Sequence, residues 1–471
     1  MNYYSWSAIN KFGVQIIGFV ANVLIARELT PDDYGLIAML AIFIGIAWNF
    51  TESGFADWLI RDANADKKDF STIFVHNVVF GILFYFILYC VAPLISNFYQ
   101  KPELVEITRI LGLSIIFKSI SITEFTRMRK ELLFKNIAVI QITSNLLAFF
   151  IAYYLAISGW GYWALVVQAI SIGFFSLLMI VVLNKWKPVF YFSWSRYKVM
   201  RKFGNNMLIS YFTNQLGDNL YSVFIGKFHS SATLGYYNQG VKINKVGFNS
   251  VNSIVLTTSY SLLSKETDLV KRKKMYINIM NHFLFIHFFM TFSIIGSAYL
   301  ILELLFGNQW LPTAPLLQLL LVSFLFQPLI SLNANIVKVE NKPQIYRNLT
   351  FLRNGLILLA LFITYKYSIV TIILGQVVAR YISAFFYIVT CGKYISFFPY
   401  EQLKIIFSQI IAPLLSFALA YSIYESFTSF LLLRLMVFIV VFLLVFIIVN
   451  VLIKNTSFTF YLNKLRVVLK L

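Results

Sequence analysis

The chain has 471 residues, of which 59% are hydrophobic and 12% charged, with a mean hydropathy of +0.76 and a formal net charge of +20. Soluble domains carry about 25% charged residues, so this composition excludes a soluble globular protein and describes a polytopic membrane protein. The positive charge has no soluble surface on which to act, and no nucleic-acid partner is expected.

A helix needs about 20 mostly apolar residues to cross the hydrocarbon. Fourteen such spans are predicted, near residues 8–26, 36–60, 73–95, 104–121, 136–157, 161–183, 203–226, 236–260, 279–302, 313–334, 347–365, 369–390, 405–424 and 430–453. The first lacks the flanks and cleavage site of a secretory signal and is expected to remain as a span. The eighth is the least apolar. Cys90 and Cys391 fall in apolar stretches, far apart in the chain, and are expected as buried thiols.

The basic residues orient this map. Most of the 39 Lys and Arg fall on one set of loops, for example Arg127 to Lys135, Lys185 to Lys202 and Lys271 to Lys274. The opposite loops hold only Arg27, Lys101, Lys227 and Lys366. Cytoplasmic loops carry the excess of Lys and Arg, which places both termini in the cytoplasm and the first hairpin on the outer face.

That hairpin reads VLIARELTPDDYG (Val23 to Gly35), and VFIGKFHSSATLG (Val223 to Gly235) follows two hundred residues later. A cation (Arg27, Lys227) and a closing glycine occupy matching places. Gln15 matches Gln215 and Asn49 matches Asn249. Further on, RKELLFK (Arg129 to Lys135) answers KVENKPQIYR (Lys338 to Arg347), and WALVVQAIS answers TIILGQVVA, pairing Gln168 with Gln376. Six spans make an even number, so the second copy points the same way as the first, a parallel repeat about an axis along the membrane normal. The expected organisation is a six-helix lobe over 1–183, a cytoplasmic amphipathic linker over 184–202, a second six-helix lobe over 203–392, and two extra helices with a cytoplasmic tail over 393–471. The fold class is an all-α integral membrane protein.

Intramembrane polar residues are costly and face a bundle interior or an aqueous cavity. Span one carries Lys11, Gln15, Gly18 and Asn22 at helical spacing; span seven carries Asn206, Ser210, Asn214 and Gly217, with Asp218 one step off. Span eight carries Asn238, Lys242, Lys245, Asn249 and Asn252, and span two adds Asn49 and Glu52, with Asp57 nearer its cytoplasmic end. Arg353 and Arg380 lie in spans eleven and twelve. These stripes belong mainly to the first two spans of each repeat, so one central cavity between two lobes is expected. Single Asn, Ser or Gln residues also pin helices together, and terminal cations snorkel; two lysines on one stripe argue more strongly for a cavity. A cavity rich in Lys and Arg suits an anionic ligand, because ammonium and guanidinium groups bind phosphate through charge-assisted hydrogen bonds.

An enzyme is not expected. The outer loops are short, and His76, His229, His282 and His287 show no metal-ligand spacing such as HExxH. No glycine-rich phosphate loop and no nucleophile with its base is present. Neither a metal nor a cofactor is expected.

The pattern LIARELTPDDYGLIA, followed by ESGFADWLIRD (Glu52 to Asp62), RKELLFK and LLFGNQWLPTAPLLQLL (Leu304 to Leu320), resembles the polysaccharide transporter family of bacterial flippases. That family belongs to the superfamily that also holds the lipid II flippase and the multidrug and toxin extrusion transporters. The resemblance covers most of residues 1–395. It implies a protein of the bacterial inner membrane that exports undecaprenyl-pyrophosphate-linked oligosaccharides from the cytoplasmic to the periplasmic leaflet by alternating access, for O-antigen, capsule or exopolysaccharide synthesis. Partners would be the lipid-linked oligosaccharide, the bilayer and polysaccharide polymerase machinery. The lipid II flippase has a mid-span arginine where this chain has Ala21, so its phosphate-binding role does not carry over to span one. It is transferred instead to Lys242, Lys245 and Arg353. Asn22, Asn49, Asn214 and Asn249 are expected to bond sugar hydroxyls, and Glu52 or Asp218 to couple transport to ions. The alternative is a cation-coupled multidrug exporter of the same superfamily, which a cavity walled by lysines would disfavour.

Overall fold

The computed structural model describes residues 3–184, 188–425 and 430–469. Its helices are, in chain order, α1 (Tyr3–Glu28), α2 (Pro31–Glu52), α3 (Phe55–Arg61), α4 (Lys67–Tyr99), α5 (Leu104–Lys130), α6 (Phe134–Ile157), α7 (Trp163–Asn184) and α8 (Trp194–Phe228). There follow α9 (Ser231–Lys265), α10 (Leu269–Phe306), α11 (Thr313–Ser323), α12 (Gln327–Val339), α13 (Pro343–Thr364), α14 (Ile369–Gly392), α15 (Pro399–Glu425), α16 (Leu431–Leu452) and α17 (Thr456–Leu469). Each predicted span falls on one helix, except the second, which is α2 with α3, and the tenth, which is α11 with α12. Among the described residues, 10 helices are long and apolar enough to cross a membrane. The four expected spans outside that set, α5, α8, α9 and α13, are helical but more polar.

Local chemistry starts and stops these helices. Thr30 caps α2: its hydroxyl accepts from the Asp33 amide at 3.3 Å, and the Asp33 carboxylate accepts from the Thr30 amide at 2.9 Å. Pro31 opens the helix, where a missing N–H costs nothing. At the same register two hundred residues on, the Ser230 hydroxyl accepts from the Thr233 amide at 3.1 Å and starts α9. The two hairpins thus re-enter a helix through the same capping chemistry. Span two then breaks at Ser53 and Gly54, both with left-handed backbone (φ 48° and 68°).

The chain forms two compact units, residues 1–238 and 239–471. In the first, α4 packs on α5, α1 on α6, α6 on α7 and α2 on α8. Phe55, Leu59, Ile73, Tyr197 and Met200 form a buried apolar cluster where α3, α4 and α8 meet. The stretch expected as a linker is extended at 188–193 and helical from Trp194, continuous with α8. It is fastened to α4 by the Phe74–Phe190 ring contact and by Arg196, whose guanidinium bonds Asp66 at 2.6 Å and Asp69 at 2.9 Å. α8 and the first turns of α9, which were expected to open the second lobe, lie within the first compact unit.

In the second unit, Ile330, Ala334, Val337, Leu349, Ala384, Tyr387 and Cys391 form a core between α12, α13 and α14. The extra helices α15 and α16 pack on each other and on α10. Phe285, Ala412, Phe446 and Phe458 bury against one another there, and so dock α17 as well. Cys391 is buried, but Cys90 is exposed on α4. An apolar residue of a spanning helix satisfies its environment equally well against lipid, so an apolar run alone does not bury a thiol in protein.

Candidate functional site

In the first unit, Asn22 lies half-buried on α1, its main-chain carbonyl accepting from the Tyr34 hydroxyl at 3.4 Å. Asn49 is half-buried on α2, and its amide donates to the Tyr211 carbonyl on α8 at 3.3 Å. Tyr211 in turn donates its hydroxyl to Asp57 of α3 at 2.5 Å. Glu52, half-buried, ends α2 between these two contacts. Asn49, Glu52, Asp57 and Tyr211 therefore form one polar group at the Ser53–Gly54 break. Tyr211 was not singled out from sequence, and Asp57 was read only as an acid near the cytoplasmic end of span two, without a partner. They are 154 positions apart, and no local pattern pairs them.

In the second unit, Lys242 and Lys245 are exposed one turn apart on α9, so their stems leave the same side of the helix. Arg353 is half-buried on α13 and points its guanidinium at the Asn354 side-chain oxygen, 3.3 Å away. Arg380 on α14 stacks over the Phe324 ring at 3.8 Å and bonds Gln327 at 3.3 Å, beside the turn that divides α11 from α12. The structure brings the two lysines together, whereas Arg353 stands on a separate helix that packs on α12 and α14. The side chains of Asn214, Asp218 and Asn249 lie outside the described residues; the backbone places Asn214 and Asp218 on α8 and Asn249 on α9.

A different chemistry occupies the basic ends of α4 and α5. A cavity of about 780 Å³ is lined by Asp66, Lys67, Phe70, Glu124, Arg127 and Lys130, among others. Glu124 is 1% exposed and takes a two-pronged bond from Arg127, at 2.6 and 2.9 Å, while Arg127 also reaches Glu131 at 2.5 Å. Lys130 donates to the carbonyl of Asp62 at 2.6 Å. Each carboxylate among these is answered by a cation, so the cavity offers no excess charge to an anionic ligand. At its rim, partial desolvation acts to raise the Asp66 carboxyl. Hydrogen bonds from the amides of Asp69 and Lys68 and from Arg196 outweigh this and hold it below the usual carboxylate range.

Comparison with known proteins agrees with this architecture. A family model described as "Polysaccharide biosynthesis protein" matches residues 24–315. The teichuronic acid biosynthesis protein TuaB of Bacillus subtilis (strain 168) is 26% identical over 72% of this chain and 70% of its own length. The lipopolysaccharide biosynthesis protein WzxC of Escherichia coli (strain K12) is 23% identical over 67% of this chain and 65% of its own length. The chain thus matches about two thirds of the length of these relatives. Among solved structures, the lipid II flippase MurJ in an inward closed conformation superposes with a TM-score of 0.75 at 15% identity, covering 94% of this chain and 98% of that one. An inward-facing multidrug resistance transporter of the MATE family gives 0.62 at 14% identity, over 83% and 99%. At these identities the likeness is one of fold.

Proposed function

Because the chain belongs to the polysaccharide biosynthesis protein family, we propose that it is a flippase. It moves undecaprenyl-pyrophosphate-linked oligosaccharide units from the cytoplasmic to the periplasmic leaflet of the bacterial inner membrane, by alternating access between two six-helix lobes and with both termini cytoplasmic. The observation that carries the reading is the pair Lys242 and Lys245, two exposed ammonium groups on one turn of a helix in a membrane protein of this family. Charged groups within spans are retained where they meet a ligand or an aqueous path, and paired ammonium groups meet diphosphate well.

In this mechanism Lys242, Lys245 and Arg353 hold the diphosphate by charge-assisted hydrogen bonds. Asn22, Asn49, Asn214 and Asn249 offer amides to sugar hydroxyls. Glu52 or Asp218 exchanges an ion as the outer and inner sides open in turn. The polyprenyl tail stays in lipid throughout. No bond is made or broken, so the protein acts as a transporter and not an enzyme, and a polymerase takes up the delivered unit. The extra helices over 393–471 stand outside the repeat. A multidrug exporter shares the fold, but an ammonium-bearing wall repels the cationic drugs such a transporter would carry.

The test is Lys242→Ala with Lys245→Ala in a strain that lacks the chromosomal gene. Loss of surface polysaccharide with normal amounts of folded protein in the membrane is expected. Wild-type polymer levels would overturn the anion site.

A further inference from the structure

Lys118 lies midway along α5, one of the expected spans, and its side chain is exposed. Its ammonium sits 5.7 Å from the centre of the Trp48 ring on α2. Of the other cations of α5, Arg109 stacks on Tyr89, Arg127 pairs with two carboxylates, and Lys130 bonds main-chain carbonyls. For Lys118 the indole face is the contact that the structure describes. An ammonium exposed midway along an expected span, with an aromatic face for company, is expensive against lipid unless an anion or an aqueous path meets it. Trp48 is half-buried and stands one helical turn from Glu52, on the same side of α2, with Asn49 next to it. The indole that Lys118 faces therefore stands on the side of α2 that carries Glu52, one helical turn from the Ser53–Gly54 break.

We infer that Lys118 and Trp48 form a cargo-binding pair that the sequence reading left unassigned: Lys118 takes the diphosphate of the polyprenyl carrier and Trp48 supports the first sugar. An ammonium is a compact donor that matches phosphate oxygens. An indole offers a flat apolar face to the C–H side of a pyranose while its N–H stays available for a hydroxyl. The pair rests on the flippase reading and adds to it a contact in the first unit, on α2 and α5.

The probe is geranylgeranyl diphosphate, titrated calorimetrically into the purified full-length protein in detergent. Geranylgeraniol serves as the uncharged control and glucuronate as the carboxylate control. The wild-type protein is expected to bind the diphosphate saturably and neither control. Lys118→Met should weaken binding by about tenfold or more, Lys118→Arg should restore most of it, and Lys404→Met, on an exposed surface of α15, should change nothing. Equal thermal unfolding midpoints for Lys118→Met and wild type exclude a folding defect, and Lys118→Arg keeps the test decisive if Met is poorly tolerated. Binding that survives both substitutions, with the unfolding midpoint lowered instead, would show a structural lysine and overturn the pair while leaving the flippase reading intact. Saturable binding of glucuronate alone would move the assignment from the carrier to an acidic sugar and overturn it as stated. No saturable binding of diphosphate by the wild-type protein would contradict the diphosphate cargo itself, and this pair with it.

Discussion

Gly35 of α2 lies so close to Ser231 of α9 that a Cβ on the glycine would overlap the Ser231 carbonyl oxygen. The contact is returned two hundred residues on, where a Cβ on Gly235 would overlap the carbonyl oxygen of Pro31. The two helix starts thus cross main chain to main chain, each supplying the glycine that lets the other approach. Ser231 also bonds Asp32, and the Tyr162 amide donates to Asp33 at 2.9 Å. This is a reciprocal contact between two helix starts that match in sequence.

Because the contact is reciprocal, Gly35→Ala and Gly235→Ala should act alike. Each should force the starts of α2 and α9 apart and lower transport by about tenfold, equivalent to roughly 1.4 kcal/mol. The check is labelling of Leu234→Cys, a position fully buried here, by a membrane-impermeant maleimide on whole cells. Labelling should rise in both glycine variants. Unchanged labelling with normal surface polymer would show that the close approach is dispensable.

Glu124 supplies a second prediction. With Glu124 1% exposed and Arg127 34% exposed, Arg127→Ala leaves a buried carboxylate unpaired and should cost about 3 kcal/mol. Glu131, 47% exposed, is the same arginine's outer partner, and Glu131→Ala should cost about 0.5 kcal/mol or less. Thermal unfolding in detergent ranks the two. Glu124→Gln with Arg127→Met should recover most of the loss, since no charge is then left buried. Equal midpoints for Arg127→Ala and Glu131→Ala would contradict the assignment.

Acid should loosen the fastening of the segment before α8. Asp66 is held below its ordinary value of 3.8 in the folded protein, so its stabilising contribution is complete above about pH 4 and disappears as pH falls through the lower folded value. Arg196 stays charged throughout that range. Unfolding midpoints followed from pH 7 to pH 3 should therefore fall less steeply in Asp66→Asn than in wild type, with the curves parallel near neutrality. Parallel curves across the acid range would remove Asp66 from the account.

Much of this was legible in the sequence, for identifiable reasons. The spans follow from apolar length, and the matching hairpins follow from short-range capping chemistry, since Thr30 and Ser230 act within three residues of themselves. Lys242 and Lys245 were readable because helical spacing alone puts them together. What stayed hidden depends on distant pairing. The Tyr211–Asp57 bond, the clamp of Arg196 on the α4 cap and the stacking of Lys118 on Trp48 join residues tens to more than a hundred positions apart. The Ser53–Gly54 break was hidden for another reason: its polar residues read as a stripe on one continuous span, whereas the backbone reverses hand there. Lys118 did leave a trace, a cation within a predicted span, but without Trp48 beside it that trace reads equally as a snorkelling lysine.

The central claim is best tested in a strain lacking the gene, by extracting lipid-linked oligosaccharides and probing their sidedness with a membrane-impermeant glycan-modifying reagent. The expected result is accumulation of complete repeat units shielded on the cytoplasmic face, reversed by the wild-type gene and not by Lys242→Ala with Lys245→Ala. An unchanged pool, fully accessible from outside and accompanied by normal surface glycan, would contradict the flippase assignment.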